Sequence, residues 1–166
     1  MKLIKRAIDI IVSTIVIIGL SLPLILISLL IVYETRSTPI FKQKRNGLKN
    51  NQFFIYKLKT MFENEESNIL QTSFDDVRIT KLGAFLRKWS IDELPQFYNV
   101  LIGDMSLIGP RPHALLHDEE FKLKIPGFME RYEMRPGITG LAQIKNCRGP
   151  IISDEELKKR FYYDIE

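Results

Sequence analysis

The sequence predicts an α+β fold, a mainly helical membrane-associated domain with a re-entrant N-terminal membrane helix and a small β-hairpin. The first observation is an uncharged run of 23 residues from Ile10 to Val32, which as a helix is roughly 34 Å long and can enter or cross a bilayer. The second is a pair of short extended segments between Ile40 and Lys59 that flank a turn. The third is the helical spacing of apolar residues farther along the chain.

The flanks of the apolar run favour a re-entrant helix. After Arg36 no acidic residue occurs before Glu63, and cations stand on both sides of the run. These cations are Lys2, Lys5, Arg6, Arg36, Lys42, Lys44, Arg45, Lys49, Lys57 and Lys59. A simple span normally keeps its cation excess on one side, so we expect both ends of this segment to lie at the same face of the membrane.

A proline in the run provides the break that a re-entrant helix needs. Pro23 has no amide donor and its ring meets the carbonyl of Gly19, while Ser21 is placed to satisfy freed backbone groups. We therefore expect residues 1–36 to form a re-entrant helix that breaks near Pro23, and residues 37–166 to form a domain outside it. An ordinary kinked transmembrane anchor stays open, because membrane helices tolerate proline.

The remaining elements follow from local patterns. The hairpin is expected from Ile40–Lys44 and Gln52–Lys59 around an Asn- and Gly-rich turn. The polar stretch from Glu63 to Gln71 is either a short helix or a surface loop. Four helices are expected at 79–89, 92–102, 113–124 and 154–163, and a turn-rich loop at 135–140.

An acidic pair stands at the start of the second of these helices. Ser90 and Glu93 have the spacing of a capping box, in which both side chains satisfy helix amides. Pro95 weighs against that interpretation, because it would lie beyond the first turn of a helix capped by Ser90. If the helix starts at Asp92, the carboxylate lies where a helix favours negative charge, and neighbouring amides can bind phosphate. Both interpretations stay open on local grounds.

The basic composition and several cations suit an anionic partner. The net charge is +4. Arg111 stands between two prolines that restrict its backbone and suits a diphosphate, although a surface arginine in a stiff loop is an equal alternative. Lys57 and Lys59 share one hairpin face, which suits substrate phosphates or lipid headgroups. No P-loop or Rossmann motif occurs, and attachment to a membrane segment argues against nucleic acid as a partner.

Two histidines and one cysteine complete the chemical inventory. His113 and His117 have i, i+4 spacing on an expected helix, but without an HExxH pattern or a third ligand they are more typical of ordinary histidines. Cys147 stands alone in the sequence and has no partner for an intrachain disulfide.

Taken together, these residues resemble the bacterial sugar transferases, the monotopic phosphoglycosyl transferases. The resemblance runs along nearly the whole chain through motifs that match in order. They are Lys5-Arg6-Ala7-Ile8-Asp9, Pro23, Gln43-Lys44-Arg45-Asn46-Gly47, Tyr56-Lys57-Leu58-Lys59-Thr60-Met61, Arg78-Ile79-Thr80, Leu86-Arg87-Lys88, Ser90-Ile91-Asp92-Glu93-Leu94-Pro95-Gln96, Asn99-Val100-Leu101, Gly103-Asp104-Met105-Ser106, Gly109-Pro110-Arg111-Pro112 and Arg135-Pro136-Gly137-Ile138-Thr139-Gly140.

The resemblance implies a re-entrant helix, a Mg²⁺ requirement and a two-step reaction. The aspartate matching Asp92 attacks the sugar-bearing phosphate of a UDP-sugar, releases UMP and carries the phosphosugar until a polyprenyl (undecaprenyl) phosphate accepts it. The acid matching Glu93 is associated with Mg²⁺. Candidate residues for binding substrate phosphates are Arg111, Lys57, Lys59, Arg87 and Arg45, and further site candidates are Asp164 and Arg78.

The resemblance also implies a setting for the protein. We expect the protein to lie in the bacterial inner membrane, with residues 37–166 as a catalytic domain on the cytoplasmic face. Its reaction would begin surface glycan synthesis there. Inner-membrane lipids are expected partners, and a homodimer stays open. The family usually has Ser-Pro at the helix break, where this chain has Leu22-Pro23, and relatives continue beyond the position of Glu166. We therefore expect the catalytic domain to be truncated at its C-terminus.

A non-catalytic membrane scaffold or nucleotide-sugar-binding protein of the same fold is the alternative function. The sugar, the glycan pathway and the oligomeric state stay open in the sequence.

Overall fold

The computed structural model describes residues 2–62, 76–147, 149, 151 and 153–166. The backbone forms two compact units. The first comprises Met1–Gln43 and Ile55–Leu101, and the second comprises Lys44–Phe54 and Ile102–Glu166. The predicted division at residue 36 therefore does not coincide with these units, and it stays a prediction about which part enters a membrane. The polar stretch from Glu63 to Gln71 lies outside the described residues.

Helices and the open end of a hairpin build the first unit, and the tip of the hairpin, Lys44–Phe54, belongs to the second. Its helices are α1 (Lys2–Gly19), α2 (Ser21–Thr35), α3 (Lys81–Lys88) and α4 (Gln96–Ile102). Strands β1 (Ile40–Asn46) and β2 (Gln52–Leu58) form a two-stranded sheet. The hairpin expectation is thus confirmed, with β1 two residues longer than predicted.

The break near Pro23 is present. Helices α1 and α2 meet at a bend of 60°. Ser21 Oγ donates to the carbonyl of Ile18 at 2.8 Å, so this hydroxyl satisfies a backbone group at the break, as expected. Among the described residues, no single helix is long and apolar enough to cross a membrane. Taken together as a bent pair, α1 and α2 have the length and apolar composition of a membrane-crossing segment.

Helix α1 has its polar side turned toward protein and its apolar side exposed. Asp9 and Ser13 are buried, whereas Ile8, Ile11 and Ile15 are among the exposed side chains. This distribution is the reverse of the one that water favours. The surface of α1 and α2 is a contiguous apolar patch of the kind that marks a membrane or protein interface.

Arg6 and a small buried cluster stabilise the packing of the first unit. The Arg6 guanidinium donates to the carbonyls of Val100 and Leu101 at 2.6 and 2.8 Å, where α4 ends and its carbonyls need donors. Ile31, Leu58 and Leu86 form a buried cluster that joins α2, β2 and α3. Gly83 lets α3 approach the hairpin, because a Cβ there would lie 2.1 Å from the Thr60 carbonyl oxygen.

The second unit contains three further helices and a short parallel sheet. Its helices are α5 (Leu115–Lys124), α6 (Leu141–Ile144) and α7 (Asp154–Ile165). Strands β3 (Ser106–Ile108) and β4 (Gly137–Thr139) pair in parallel, with Ser106 opposite Gly137 and Ile108 opposite Thr139. A core of Phe121, Ile125, Phe128 and Leu157 holds α5 and α7 together with the 3₁₀ segment Phe128–Glu133.

Two sequence predictions about elements are wrong. The helix expected from Asp92 begins at Gln96, because Pro95 has no amide to donate to Ile91, whose carbonyl accepts from Leu94 instead. A 3₁₀ turn, Ile91–Glu93, therefore precedes α4. The loop expected at 135–140 contains strand β4.

Candidate active site

Asp92 and Glu93 lie in the 3₁₀ turn directly before α4. Ser90 enters this turn with a left-handed φ of 56°, and its side chain makes no capping hydrogen bond. The capping-box interpretation is therefore wrong. The alternative that Asp92 begins a long helix is also wrong, so the helix-dipole argument for its charge does not apply. What remains is an acidic pair in a short turn with its side chains available for other contacts.

The hairpin supplies the cation that faces this pair. Lys57 Nζ lies 2.7 Å from Glu93 Oε1, and the two side chains are 20% and 17% exposed. The amide of Tyr56 donates to Asn99 Oδ1 at 3.1 Å, which ties β2 to the buried face of α4. Lys57 is thus held beside the acidic turn by backbone contacts on its own strand.

Asp92 is less exposed to water than Glu93. It is only 8% exposed. Burial raises the pKa of Asp92, the Lys57 charge opposes this rise, and the Glu93 carboxylate adds to it. A carboxylate that has lost water and kept a nearby cation is a stronger base and nucleophile than an exposed one.

A second cation lies near Asp92 on α3. Arg87 Nε donates to Thr60 Oγ1 at 2.8 Å, and Nη2 lies 3.1 Å from Met61 Sδ. Burial lowers the pKa of Arg87, and the charge of Asp92 is the strongest influence in the opposite direction. The predicted residues Asp92, Glu93, Lys57 and Arg87 are therefore brought together in one unit.

Two other predicted residues of this unit have different surroundings. Lys59 is 6% exposed, and its Nζ donates to Ser37 Oγ at 2.9 Å. Arg78 forms a two-pronged pair with Asp76 at 2.8 and 2.5 Å, which lowers the pKa of Asp76 to about 2. The Asp76 and Arg78 charges both act on Arg87, so this pair borders the site.

The predicted residues Arg111 and Asp164 lie in the second unit and meet at a buried arginine. Arg131 Nη2 donates to the Arg111 carbonyl at 2.7 Å and to Asp164 Oδ2 at 2.5 Å. Burial raises the pKa of Asp164, while Arg131 and Arg160 oppose that rise. Arg131 thereby connects the Pro-Arg-Pro segment to α7.

Arg131 also belongs to a larger network of buried polar groups. Arg131 Nη1 lies 2.6 Å from His113 Nδ1. Asp118 Oδ2 accepts from Tyr132 Oη and from Asn46 Nδ2, both at 2.7 Å. All five side chains belong to buried residues. A network of this kind makes the second unit rigid, because any member left without its partner carries a large desolvation cost.

The histidine spacing predicted a helical pair, and this is wrong. His113 precedes α5, and only His117 lies on the helix. The His117 ring stacks on Phe121. Burial and the Arg131 charge lower the pKa of His113 to about 3, so His113 is neutral and its Nδ1 accepts from Arg131.

Arg45 lies in the part of β1 that belongs to the second unit. Its backbone forms an isolated antiparallel bridge with Ala114. Its charge lowers the pKa of His117, after burial, which has the larger effect. The structure thus places the five phosphate-binding candidates in both units, with Lys57, Lys59 and Arg87 in the first and Arg45 and Arg111 in the second.

Sequence reasoning missed Arg131, Asp118 and Tyr132. Each of these polar residues has at least one hydrogen-bond partner that is 14 or more positions away in the sequence. Local spacing therefore carries no signal for them. The usable hint is compositional, since an arginine and a tyrosine stand together between apolar residues and the Arg135-Pro136-Gly137 turn.

Asp92 and Glu93 are the residues that would bind Mg²⁺ at this site. Within the described ranges, no group of three or more His, Cys, Asp and Glu residues could hold a metal ion. Mg²⁺ commonly takes only one or two protein carboxylates and completes its shell with substrate phosphates and water. Asp92 and Glu93 are such a donor pair, so the residues present fit a metal that arrives with a diphosphate substrate.

Comparison with known proteins gives long matches. The UDP-glucose:undecaprenyl-phosphate glucose-1-phosphate transferase of Klebsiella pneumoniae is 43% identical over 163 residues, which cover 97% of this chain and 35% of the relative. The protein of the same name from Escherichia coli (strain K12) is 41% identical over 166 residues, or 99% of this chain and 36% of the relative.

A third relative differs in the sugar in its name. The UDP-N-acetylgalactosamine-undecaprenyl-phosphate N-acetylgalactosaminephosphotransferase of Aeromonas hydrophila is 42% identical over 163 residues, or 96% of this chain and 38% of the relative. The chain thus spans little more than a third of the length of these three relatives. A family model described as bacterial sugar transferase matches residues 1–166. The protein therefore belongs to the bacterial sugar transferase family.

Proposed function

We propose that this protein transfers a sugar 1-phosphate from a UDP-sugar to undecaprenyl phosphate, with Asp92 as the nucleophile. The observation that carries the proposal is the acidic turn itself, in which a buried carboxylate of raised pKa lies beside the Lys57–Glu93 ion pair and Arg87. The names of the relatives support this class of reaction, because they pair UDP-sugars with undecaprenyl phosphate.

In the first step, a carboxylate oxygen of Asp92 attacks the phosphorus that bears the sugar. The bond between this phosphorus and the bridging oxygen of the diphosphate breaks, and UMP leaves with the bonding electrons. The product is a mixed anhydride between Asp92 and the sugar phosphate. Lys57 and Arg87 place positive charge where the departing phosphate gains negative charge, so they favour this step electrostatically.

In the second step, a phosphate oxygen of undecaprenyl phosphate attacks the same phosphorus. The bond to Asp92 breaks, its carboxylate is restored, and undecaprenyl diphosphate sugar is formed. Each step exchanges one phosphoanhydride-type bond for another, so neither requires an oxidant or an outside energy source. An acyl phosphate suits this role because it forms from one anhydride and is readily displaced by the next acceptor.

Magnesium would be held by Glu93, with Asp92 as the neighbouring donor. When bound, it neutralises charge on the diphosphate of the substrate. The Lys57 contact keeps the Glu93 side chain in the site and limits its motion. Glu93 is thus a metal-binding candidate whose orientation is set by the hairpin.

Attachment to a membrane explains why one chain carries both the acidic turn and an exposed apolar helix pair. The polar stripe of α1 faces protein and the apolar surface of α1 and α2 is exposed, which suits insertion in lipid. We propose that the bent pair is re-entrant at the cytoplasmic face of the bacterial inner membrane. There the acidic turn would meet the phosphate of an acceptor whose chain stays in the bilayer. The product would initiate a surface glycan.

Release of UMP separates this enzyme from a non-catalytic scaffold of the same fold. Detergent-solubilised protein is incubated with undecaprenyl phosphate, Mg²⁺ and each member of a panel of UDP-sugars. We expect UMP release with at least one donor and dependence on the acceptor for repeated turnover. If no donor yields UMP although a UDP-sugar binds, the scaffold is the correct function.

A further inference from the structure

The Arg87 guanidinium is held by two neutral groups. Its Nε donates to Thr60 Oγ1 at 2.8 Å, and its Nη2 lies 3.1 Å from Met61 Sδ. Among the described residues, no carboxylate lies within ion-pair distance of this guanidinium. A hydroxyl and a thioether accept hydrogen bonds without carrying charge. These contacts therefore orient Arg87 and leave its positive charge uncancelled.

The acid nearest in influence is engaged by another arginine. The Asp76 charge acts on Arg87, but both oxygens of its carboxylate accept from Arg78. A two-pronged pair between arginine and a carboxylate is among the strong hydrogen-bonded contacts in proteins. Arg78 thus occupies the carboxylate that could otherwise neutralise Arg87. A neutralised arginine would be a poor partner for a substrate phosphate.

Thr60 is itself fixed by backbone contacts with the start of α3. It is 5% exposed and comes two residues after the end of β2. Its carbonyl accepts from the Thr80 amide at 3.0 Å. Gly83 permits this close approach, since a Cβ there would lie 2.1 Å from the Thr60 carbonyl oxygen. The β-branched side chain on this fixed backbone has few rotamers, so its hydroxyl is an acceptor in a defined place.

One short segment thus contacts two cations or acids of the site. Lys57 contacts Glu93 at 2.7 Å, and Thr60, three residues later, contacts Arg87. A free arginine side chain has many rotamers and loses this freedom when it is fixed. Because the contact with Thr60 exists before a substrate binds, less of that freedom is left to lose in the reaction.

We propose that Thr60 is a positioning residue, which holds the Arg87 guanidinium in the orientation that meets the departing phosphate. The Thr60 hydroxyl acts through Arg87 alone and touches no substrate. The benefit is greatest in the transition state, since charge on the departing phosphate develops there. This inference rests on the proposed function for its reaction, although the contact between Thr60 and Arg87 does not.

Kinetics of Thr60→Val test this role, because valine has nearly the shape of threonine and lacks the acceptor. We expect kcat for UMP release to fall at least about tenfold, while the KM for the UDP-sugar changes less than about threefold. A loosened guanidinium still attracts the diphosphate but fits the transition state less well. Thr60→Ser restores the acceptor and should return kcat to within about twofold of the parent. A parental kcat in Thr60→Val, or no rescue by Thr60→Ser, overturns the proposal.

Thr80→Val is the matched control for a merely structural effect. Thr80 is also buried, and its Oγ1 caps α3 by accepting from the Gly83 amide at 2.8 Å. Loss of this cap should lower the urea midpoint and leave kcat within about twofold of the parent. Thr60→Val should lower kcat more and the urea midpoint less. Parallel losses of kcat and stability in the two variants overturn the positioning role.

An Arg87→Lys background shows whether the hydroxyl acts through the arginine. Lysine lacks the Nε–H group that donates to Thr60. Adding Thr60→Val to this background should therefore slow UMP release by less than about twofold further. The full loss seen in the parent background would show that Thr60 acts by another route and would overturn the proposal.

Chemical labelling tests the contact without turnover. The full chain in detergent is treated with phenylglyoxal, which modifies guanidinium groups, and each arginine is followed by peptide mass spectrometry. We expect Arg87 to react at least about threefold faster in Thr60→Val and in Thr60→Ala than in the parent, because it has lost an acceptor. The exposed Arg135 should react at one rate in all three proteins. An unchanged Arg87 rate in both variants overturns this inference even if the parent releases UMP, whereas a parent that releases no UMP overturns the proposed function.

Discussion

The two units contain two kinds of buried carboxylate. In the first unit, Asp92 lies in a short turn beside the Lys57–Glu93 ion pair, and among the described residues its side chain makes no hydrogen bond to a cation. In the second unit, Asp118 and Asp164 are bound by tyrosine, asparagine and arginine donors in a closed network. Burial alone therefore does not mark a nucleophile. A carboxylate suited to chemistry is one that is desolvated but not engaged by such donors.

The largest expected effect is the loss of turnover in Asp92→Asn. The amide is nearly isosteric but is not an anionic nucleophile, so UMP release should fall by about a thousandfold or more. The raised pKa means that the ionised form is disfavoured in the folded protein, so stability from this group is present at low pH and is lost as pH rises through its pKa. The variant should therefore be at least as stable as the parent in denaturant unfolding at pH 7.

That combination sharpens the comparison, because loss of activity with retained stability is typical of a site residue. Near-normal UMP release from Asp92→Asn would remove this carboxylate from the reaction.

The next effect concerns stability in the second unit. Arg131→Met leaves buried acids and a carbonyl without their donor, so we expect a loss of about 3–5 kcal/mol in the free energy of unfolding. Arg135→Met is a matched control, since Arg135 is exposed and donates from Nε to the Gly103 carbonyl. Urea unfolding of both variants gives the comparison. Equal losses would show that the buried network contributes no more than a surface contact.

A smaller effect is expected from Glu93→Gln. The neutral side chain is a poorer Mg²⁺ ligand and a weaker partner for Lys57, so the rate should fall by about ten- to a hundredfold. The Mg²⁺ concentration for half-maximal UMP release should rise. The measurement is a magnesium titration at saturating substrates, with Glu130→Gln in the second unit as a control. An unchanged titration would separate Glu93 from the metal.

The smallest effect is the acid sensitivity contributed by His113. Its folded pKa of about 3 lies below the ordinary value of 6.5, so its stabilising contribution is present above pH 6.5 and is lost as pH falls toward 3. The slope is about 1.4 kcal/mol per pH unit in this range. Urea midpoints at pH 7, 6 and 5 should fall less in His113→Gln than in the parent. Identical pH slopes in the two proteins would contradict this origin.

The sequence predicts features that depend on neighbours along the chain. Pro23 and Ser21 mark the break because both act within one helical turn. The hairpin follows from two extended segments around a turn, and α3 from its amphipathic spacing. The acidic pair is visible in the sequence as well, since both members are adjacent.

Features that depend on distant partners are not visible locally. The Lys57–Glu93 pair joins residues 36 positions apart, and Arg131 and Asp164 are 33 positions apart. Strands β3 and β4 have three residues each, which is too short for an alternating pattern to identify. The predicted start of α4 at Asp92 is wrong because Pro95 has no backbone amide to donate. The loss of that hydrogen bond outweighs the favourable position of the Asp92 charge at a helix start.

Intact-protein mass spectrometry tests the central claim most directly. The full chain is incubated with Mg²⁺ and the donor that supports UMP release, without undecaprenyl phosphate, and is quenched in acid to preserve an acyl phosphate. The account predicts one added sugar phosphate per chain, located at Asp92, absent from Asp92→Asn and removed when undecaprenyl phosphate is supplied. Release of UMP without any covalent adduct, or an adduct that persists in Asp92→Asn, would contradict it.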